Sequence, residues 1–212
     1  TILKGQLTGM LDEVGVYRDR DRYLARSLQV TSRMEALVGE ILTISRMESG
    51  TGLRKEELDL SRLVEEQLEQ DRELLDQREM DLSLSLAPGL VLRGDPSLLG
   101  RAVDNLLSNA ARYCTPGGQV QIQLERAPYA PVFTIWNHAG PIPETELPRL
   151  VEPFYRGDTA RDRSGSGMGL ALCEKIAALH GGRLQIESVE GEGTAVTVRL
   201  PAADGKEGGA AV

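Results

Sequence analysis

Asp95-Pro96-Ser97-Leu98-Leu99-Gly100-Arg101-Ala102-Val103-Asp104-Asn105-Leu106-Leu107-Ser108-Asn109-Ala110-Ala111-Arg112-Tyr113 is the stretch whose reading sets the fold. An Asp accepts from the free N–H groups of a first helical turn, and Pro96 has the fixed φ suited to the first helical position. Leu98, Leu99, Ala102, Val103, Leu106, Leu107 and Ala110 recur at helical spacing, which predicts a helix from about 96 to 113 with one apolar face. Asn105 and Asn109 are four apart and project from one side of that helix. Two amide oxygens there can join phosphate oxygens around Mg2+, which takes hard oxygen ligands and keeps several waters. The same spacing equally suits asparagines that bond local backbone on a solvated face.

Outward from this helix, Met80, Leu82, Leu84 and Leu86 alternate with Asp81, Ser83 and Ser85, a half-buried strand, and Leu60, Leu63, Val64, Leu68 and Leu75 mark a helix after Asp59 or Ser61. On the other side, Val120, Ile122 and Leu124 alternate with glutamines and Val132 to Trp136 follows, a pair of neighbouring strands. Residues 137 to 167 are dense in Pro, Gly, Arg and Asp and too long for an ordinary connection, which marks them as functional. Met168 to His180 reads as a helix closed by Gly181, with His180 placed where an imidazolium complements the helix dipole. Two more alternating strands around Leu184 to Ile186 and Val196 to Leu200 are joined by the Glu190-Gly191-Glu192-Gly193 turn. Residues 202 to 212 have the composition of a disordered tail.

Gly165-Ser166-Gly167-Met168-Gly169-Leu170 leads into the later helix. Its glycines let backbone amides turn toward an anion and the helix start adds favourable partial charge, so the segment suits phosphate; a plain hinge has the same composition. Arg156, Arg161 and Arg163 precede it, able to close over a polyphosphate as a lid or to pair with Asp158 and Asp162 at the surface.

Toward the N-terminus, Leu3, Leu7, Met10 and Val14, then Tyr23, Ser27, Val30, Met34, Leu37, Ile41 and Ile44, form a heptad seam broken at Arg18 to Arg22. Two helices of this kind make a hairpin whose apolar stripe is covered by a second copy in a four-helix bundle, or by the rest of its own chain. We expect a homodimer through residues 1–50, with Ser49-Gly50-Thr51-Gly52 opening a linker over 51–58. Thr1-Ile2-Leu3-Lys4 enters an already periodic helix without a cap, which reads as a fragment.

The 32 acidic residues outnumber the 24 basic ones, for a net charge of -8, so no broad positive field exists to hold nucleic acid. Cys114 and Cys173 have no metal or disulfide spacing, which favours a reducing, cytoplasmic setting. No apolar run is long enough to span a bilayer, and any membrane attachment is expected in a region before residue 1.

Asn105 to Tyr113, Glu152-Pro153-Phe154-Tyr155-Arg156 and Gly165 to Leu170 resemble, in order and spacing, the N, F and G2 boxes of bacterial sensor histidine kinases. Gly94-Asp95, His180-Gly181-Gly182 and Gly191-Glu192-Gly193-Thr194 add to the likeness, and Ile41 to Gly50 resembles the end of the family's dimerisation and histidine phosphotransfer hairpin. The resemblance implies an α+β protein: a helical hairpin forming a dimeric four-helix bundle, then, over 59–201, an α/β sandwich of the Bergerat type, a mixed sheet with helices on one face. It implies ATP and Mg2+, with Asn109 on the metal and Asn105 beside it, Arg112 on phosphate, Tyr113 flanking adenine, and Arg156 at the transition-state charge. Arg161, Arg163, Gly165, Gly167, Gly169 and Leu170 fall to the lid, and Asn137, Ile142 and Thr194 to the nucleotide pocket. The family's phosphoacceptor histidine would lie just upstream of residue 1, the phosphoryl group passing from it to an aspartate of a response regulator.

Where the family's G1 box reads Asp-x-Gly-x-Gly, this chain has Asn137-His138-Ala139-Gly140-Pro141-Ile142-Pro143, as in kinases resembling the vancomycin-resistance sensors. An amide oxygen still accepts from the adenine 6-amino group, less strongly than a carboxylate. The alternatives are a weakened scaffold or phosphatase-type partner of a response regulator, and chaperone, topoisomerase or mismatch-repair ATPases of the same fold. The heptad hairpin favours the kinase.

Overall fold

The computed structural model describes residues 2–48, 53–76, 80–128, 130–157 and 165–202. The chain divides into two compact units, Thr1–Arg46 and Met47–Val212.

In the first unit, α1 (Ile2–Leu11) and α2 (Arg20–Glu48) are joined by a turn of 3-10 helix at Gly15–Arg18. The polar break in the heptads falls at this turn, where Arg20 pairs with Glu13 at 2.7 Å. Tyr17 packs on Tyr23 with ring centroids 4.6 Å apart, and Ser27 Oγ donates to Gln6 Oε1 at 3.3 Å, drawing α2 back toward α1. Met10, Tyr23 and Ser27 of the seam are buried, whereas Leu7, Val14, Met34 and Ile41 are exposed within this single chain.

The second unit begins with β1 (Glu56–Asp59), where the expected linker gives way to a strand. It continues through α3 (Leu60–Asp76), β2 (Asp81–Leu86), β3 (Val91–Gly94), α4 (Pro96–Tyr113), β4 (Gln119–Ala127), β5 (Ala130–Asn137), α5 (Gly169–Leu179), β6 (Arg183–Val189) and β7 (Gly193–Arg199). β1 pairs antiparallel with β3, Leu58 opposite Leu92. The other five strands form one sheet in the order β2-β4-β5-β7-β6, parallel between β2 and β4 and antiparallel elsewhere, so the sheet is mixed.

Alternation decides which sheet face is covered. Val120, Ile122 and Leu124 of β4 and Phe133 and Ile135 of β5 are buried on one side, against the apolar faces of α4 (Leu99, Val103, Leu106, Leu107) and α5 (Leu172, Ile176). Gln121, Gln123 and Thr134 take the other side. β2 departs from the expected half-buried strand: it is the sheet edge, paired on one side only, and Leu82 and Leu84 stay exposed.

Capping fixes the helix starts. Asp59 Oδ1 accepts from Ser61 N at 2.9 Å and Arg62 N at 3.3 Å, while Ser61 Oγ donates to Ala87 O and accepts from Leu90 N, holding the β2–β3 turn. Asp95 Oδ1 accepts from Leu98 N at 3.2 Å, with Pro96 opening α4 as its sequence requires.

Asp71 of α3 lies beside Asp104 of α4, and burial, followed by the Asp104 charge, raises its pKa from 3.8 to about 6. The fold therefore holds this proton better than the unfolded chain, and that contribution to stability is lost as pH rises through about 6. Asp71→Asn is expected to stabilise the protein at neutral pH, with an advantage over wild type that shrinks as pH falls toward 4. Urea midpoints across that range check it; an advantage independent of pH would disprove the assignment.

Candidate functional site

α4 presents its candidate site residues because its apolar positions face the sheet and α5. Asn105, Asn109, Arg112 and Tyr113 fall on the remaining, half-exposed stripe. Asn105 Nδ2 donates to Arg101 O at 2.8 Å, which fixes the amide, and its Oδ1 lies 3.1 Å from where a Cβ on Gly169 would sit. Arg112 Nη1 is likewise 3.1 Å from the Cβ position of Gly165. The amide stripe and the glycine segment, far apart in sequence, are thus brought face to face, and side chains on those glycines would fill the space between them.

Gly167 is required where it stands. Its φ is 73°, and a Cβ there would meet the backbone of Phe154 and Tyr155 at 2.9 Å. Its carbonyl accepts from Phe154 N at 3.0 Å. Phe154 itself has φ 67° and is 59% exposed, an unusual conformation for a bulky residue and one that sequence reading gave no sign of. Leu170 sits half-buried in the first turn of α5, and Met168, just before it, is buried. Arg156 is half-buried with its Nε turned away from solvent, and Arg149 stacks over Tyr155 at 4.1 Å. Arg161 and Arg163 lie outside the described residues.

The G1 segment is held from two sides. Thr115 N, just past α4, donates to His138 O at 2.8 Å, and His138 N donates to Gln119 O at 2.9 Å, so the residue after Asn137 is stitched to the end of α4. Ile142 N donates to Ser188 Oγ at 3.1 Å, and Ser188 Oγ shares a hydrogen bond with Thr194 Oγ1 at 3.0 Å. Thr194 is the β7 partner of Asn137. Asn137, Ile142 and Thr194 therefore form one group, bridged by Ser188, a residue the motif reading missed. Asn137 is 6% exposed, and its Nδ2 has no hydrogen-bond partner among the described residues.

His180 corrects the sequence expectation. It is buried and accepts at Nε2 from Asp95 N at 2.9 Å, while Nδ1 lies 2.7 Å from Ile176 O. Only a neutral imidazole protonated at Nδ1 satisfies both contacts, and burial lowers its pKa. It is a structural tie between the start of α4 and the end of α5, not a cation on the helix dipole. The tie is complete above the ordinary imidazole range and lost as pH falls through the lowered pKa. His180→Ala, which leaves the buried Asp95 N–H unpaired, is expected to cost about 1–3 kcal/mol, read as a lowered urea midpoint. A midpoint equal to wild type would remove His180 from this role.

The sequence profile of the histidine kinase-, DNA gyrase B- and HSP90-like ATPase family matches residues 94–204. The signal transduction histidine-protein kinase/phosphatase MprB of Mycolicibacterium smegmatis is 36% identical over 173 residues, 79% of this chain and 34% of its own length. The sensor protein VanSC of Enterococcus gallinarum is 32% identical over 185 residues, 86% of this chain and 51% of its own length. The chain thus spans about a third to a half of the length of these two relatives. Among solved structures, histidine kinase ThkA in complex with response regulator protein TrrA aligns at TM-score 0.77 and 23% identity, over 98% of this chain and 58% of the other, a likeness of fold.

Proposed function

The chain belongs to the histidine kinase-, DNA gyrase B- and HSP90-like ATPase family and carries the ATP-binding catalytic region of a sensor histidine kinase, and from that premise we propose how its residues work. The carrying observation is the approach of the α4 stripe to the glycine segment, Asn105 to Gly169 and Arg112 to Gly165. The two elements so joined border one surface suited to a polyphosphate, with amide oxygens for a metal, a guanidinium for phosphate and a helix start free of side-chain bulk.

Asn109, with Asn105 beside it, contributes amide oxygen to Mg2+, and Arg112 binds phosphate oxygens. Tyr113, Asn137, Ile142 and Thr194 enclose the base, with Asn137 accepting from the 6-amino group. Gly165, Gly167, Gly169 and Leu170 shape the phosphate end. Arg156, with Arg161 and Arg163, neutralises charge on the group being transferred. When bound, Mg-ATP supplies the γ-phosphoryl group that is transferred to a histidine and from there to an aspartate of a response regulator. Neither histidine of this chain suits the acceptor role, since His180 is buried and neutral and His138 is bonded to Thr115. The acceptor then lies in sequence outside these residues, as does any membrane attachment. No described helix is long and apolar enough to cross a membrane. ATP is available in the cytoplasm, where we place this region.

We divide the chain into a dimerisation and phosphotransfer hairpin over 1–50 and a catalytic domain over 59–201. The exposed Leu24, Leu28, Met34, Val38, Ile41 and Leu42 of α2 support pairing of the hairpin with a second copy. Sedimentation is expected to show a dimer that Ile41→Glu weakens by at least tenfold; a wild-type monomer at high concentration would refute the pairing. Calorimetry is expected to show ADP binding that depends on Mg2+, with Asn109→Asp altering the Mg2+ dependence and leaving the dimer intact. Unchanged Mg-ADP affinity in that variant would remove Asn109 from the metal site.

A further inference from the structure

Asp95 does more than cap α4. It is 7% exposed, and its two carboxylate oxygens serve different parts of the chain. Oδ1 accepts from Leu98 N at 3.2 Å in the first turn of α4, and Oδ2 accepts from Arg54 N at 2.9 Å, in the segment 53–55 that leads into β1. Its backbone is engaged as well, the N–H with His180 Nε2 and the carbonyl with Leu99 N. Gly94 beside it is closely packed: a Cβ there would meet Leu99 Cδ1 at 2.6 Å and Leu92 Cδ1 at 2.9 Å. A buried carboxylate oxygen without a donor is costly, so the two bonds of this one group depend on each other. When Arg54 N–H leaves Oδ2, the carboxylate turns to find another donor, and the Oδ1 bond to α4 is disturbed. The helix carries that change as a rod, at 1.5 Å per residue, to Asn105 about 15 Å on and Arg112 about 25 Å on.

We propose that Asp95 is a positioning residue that couples the segment entering the second unit to nucleotide binding. With Arg54 N–H seated on Oδ2, α4 is held where its stripe meets the glycines; with it released, the stripe is displaced. Residues 53–55 lie on the covalent path from the first unit to β1, which makes this bond a point where a change upstream in the chain reaches the site. The inference rests on the nucleotide reading above. Coupling is reciprocal, so bound nucleotide tightens the seat of Arg54 by the same factor that the seat tightens nucleotide.

The test joins calorimetric titration of Mg-ADP with hydrogen exchange of single backbone amides followed by NMR, on the whole chain, on Asp95→Asn, on Arg54→Pro and on the double variant. Asn keeps an oxygen to cap α4 but offers Arg54 no second acceptor, and Pro removes the N–H outright. Each single variant is expected to bind Mg-ADP about fivefold or more weakly than wild type, and the double variant no more weakly than either. In wild type, Mg-ADP is expected to slow exchange at Arg54 by about the same factor. Arg54 exchange indifferent to Mg-ADP, or wild-type affinity in either single variant, overturns the proposal and leaves a bond that serves stability alone. Losses that add in the double variant overturn it too, since the two groups then act separately. If Asp95→Asn fails to fold by circular dichroism, Asp95→Ser serves, because its hydroxyl caps α4 and leaves no second oxygen for Arg54. Failure of wild type to bind nucleotide at millimolar concentration instead withdraws the nucleotide reading, and the proposal with it.

Discussion

The position of α4 governs the second unit, and a single buried imidazole sets it at one end. His180 accepts from the backbone of Asp95, the residue that caps α4, and contacts the carbonyl of Ile176 in the last turn of α5. Two helices that border the candidate site are thereby referred to one ring. At the other end, Thr115 bonds His138, next to Asn137. Held at both ends, α4 has little freedom to rotate, and its half-exposed stripe keeps facing the glycines. Pre-organisation of this kind matters because phosphoryl transfer depends on positioning and charge more than on covalent chemistry by the protein.

Much of this was legible because it is local. The Asp95 cap, Pro96 and the apolar spacing defined α4 to its last residue, and alternation found β4, β5, β6 and β7. β1 and β3 were missed: four residues each, they are set by pairing with one another across more than thirty intervening residues. β2 alternates correctly yet stays exposed, because alternation reports which side chains share a face, not whether anything covers that face. At the candidate site, motif spacing singled out Asn105, Arg112 and the glycines, but only folding shows which amide meets which glycine. Ser188 and the neutral state of His180 left no local signal, since each depends on partners brought from elsewhere in the chain.

The first unit shows the converse. Its heptad residues divide between those buried by the hairpin itself and those left exposed, and a single strand of sequence does not say which are which. Apolar side chains on both sides of α2 are what a bundle of more than two helices needs, whereas a two-helix hairpin has use for only one stripe. The exposed set gives that requirement a physical location on the molecule.

The sheet order has a consequence for how the protein reaches its native state. β4–β5 and β6–β7 are neighbours in sequence and close short loops, whereas β5–β7 joins residues from 57 (Asn137 and Thr194) to 67 (Val132 and Arg199) apart and β2–β4 encloses α4. Loop-closure entropy favours the two hairpins forming before the strands between them zip together. The pairing of Asn137 with Thr194 belongs to that later, non-local event, so this part of the candidate site exists only once the sheet is whole. Any ligand that binds only where these strands meet acts as a latch on the completed sheet, drawing the folding equilibrium toward the native chain by mass action.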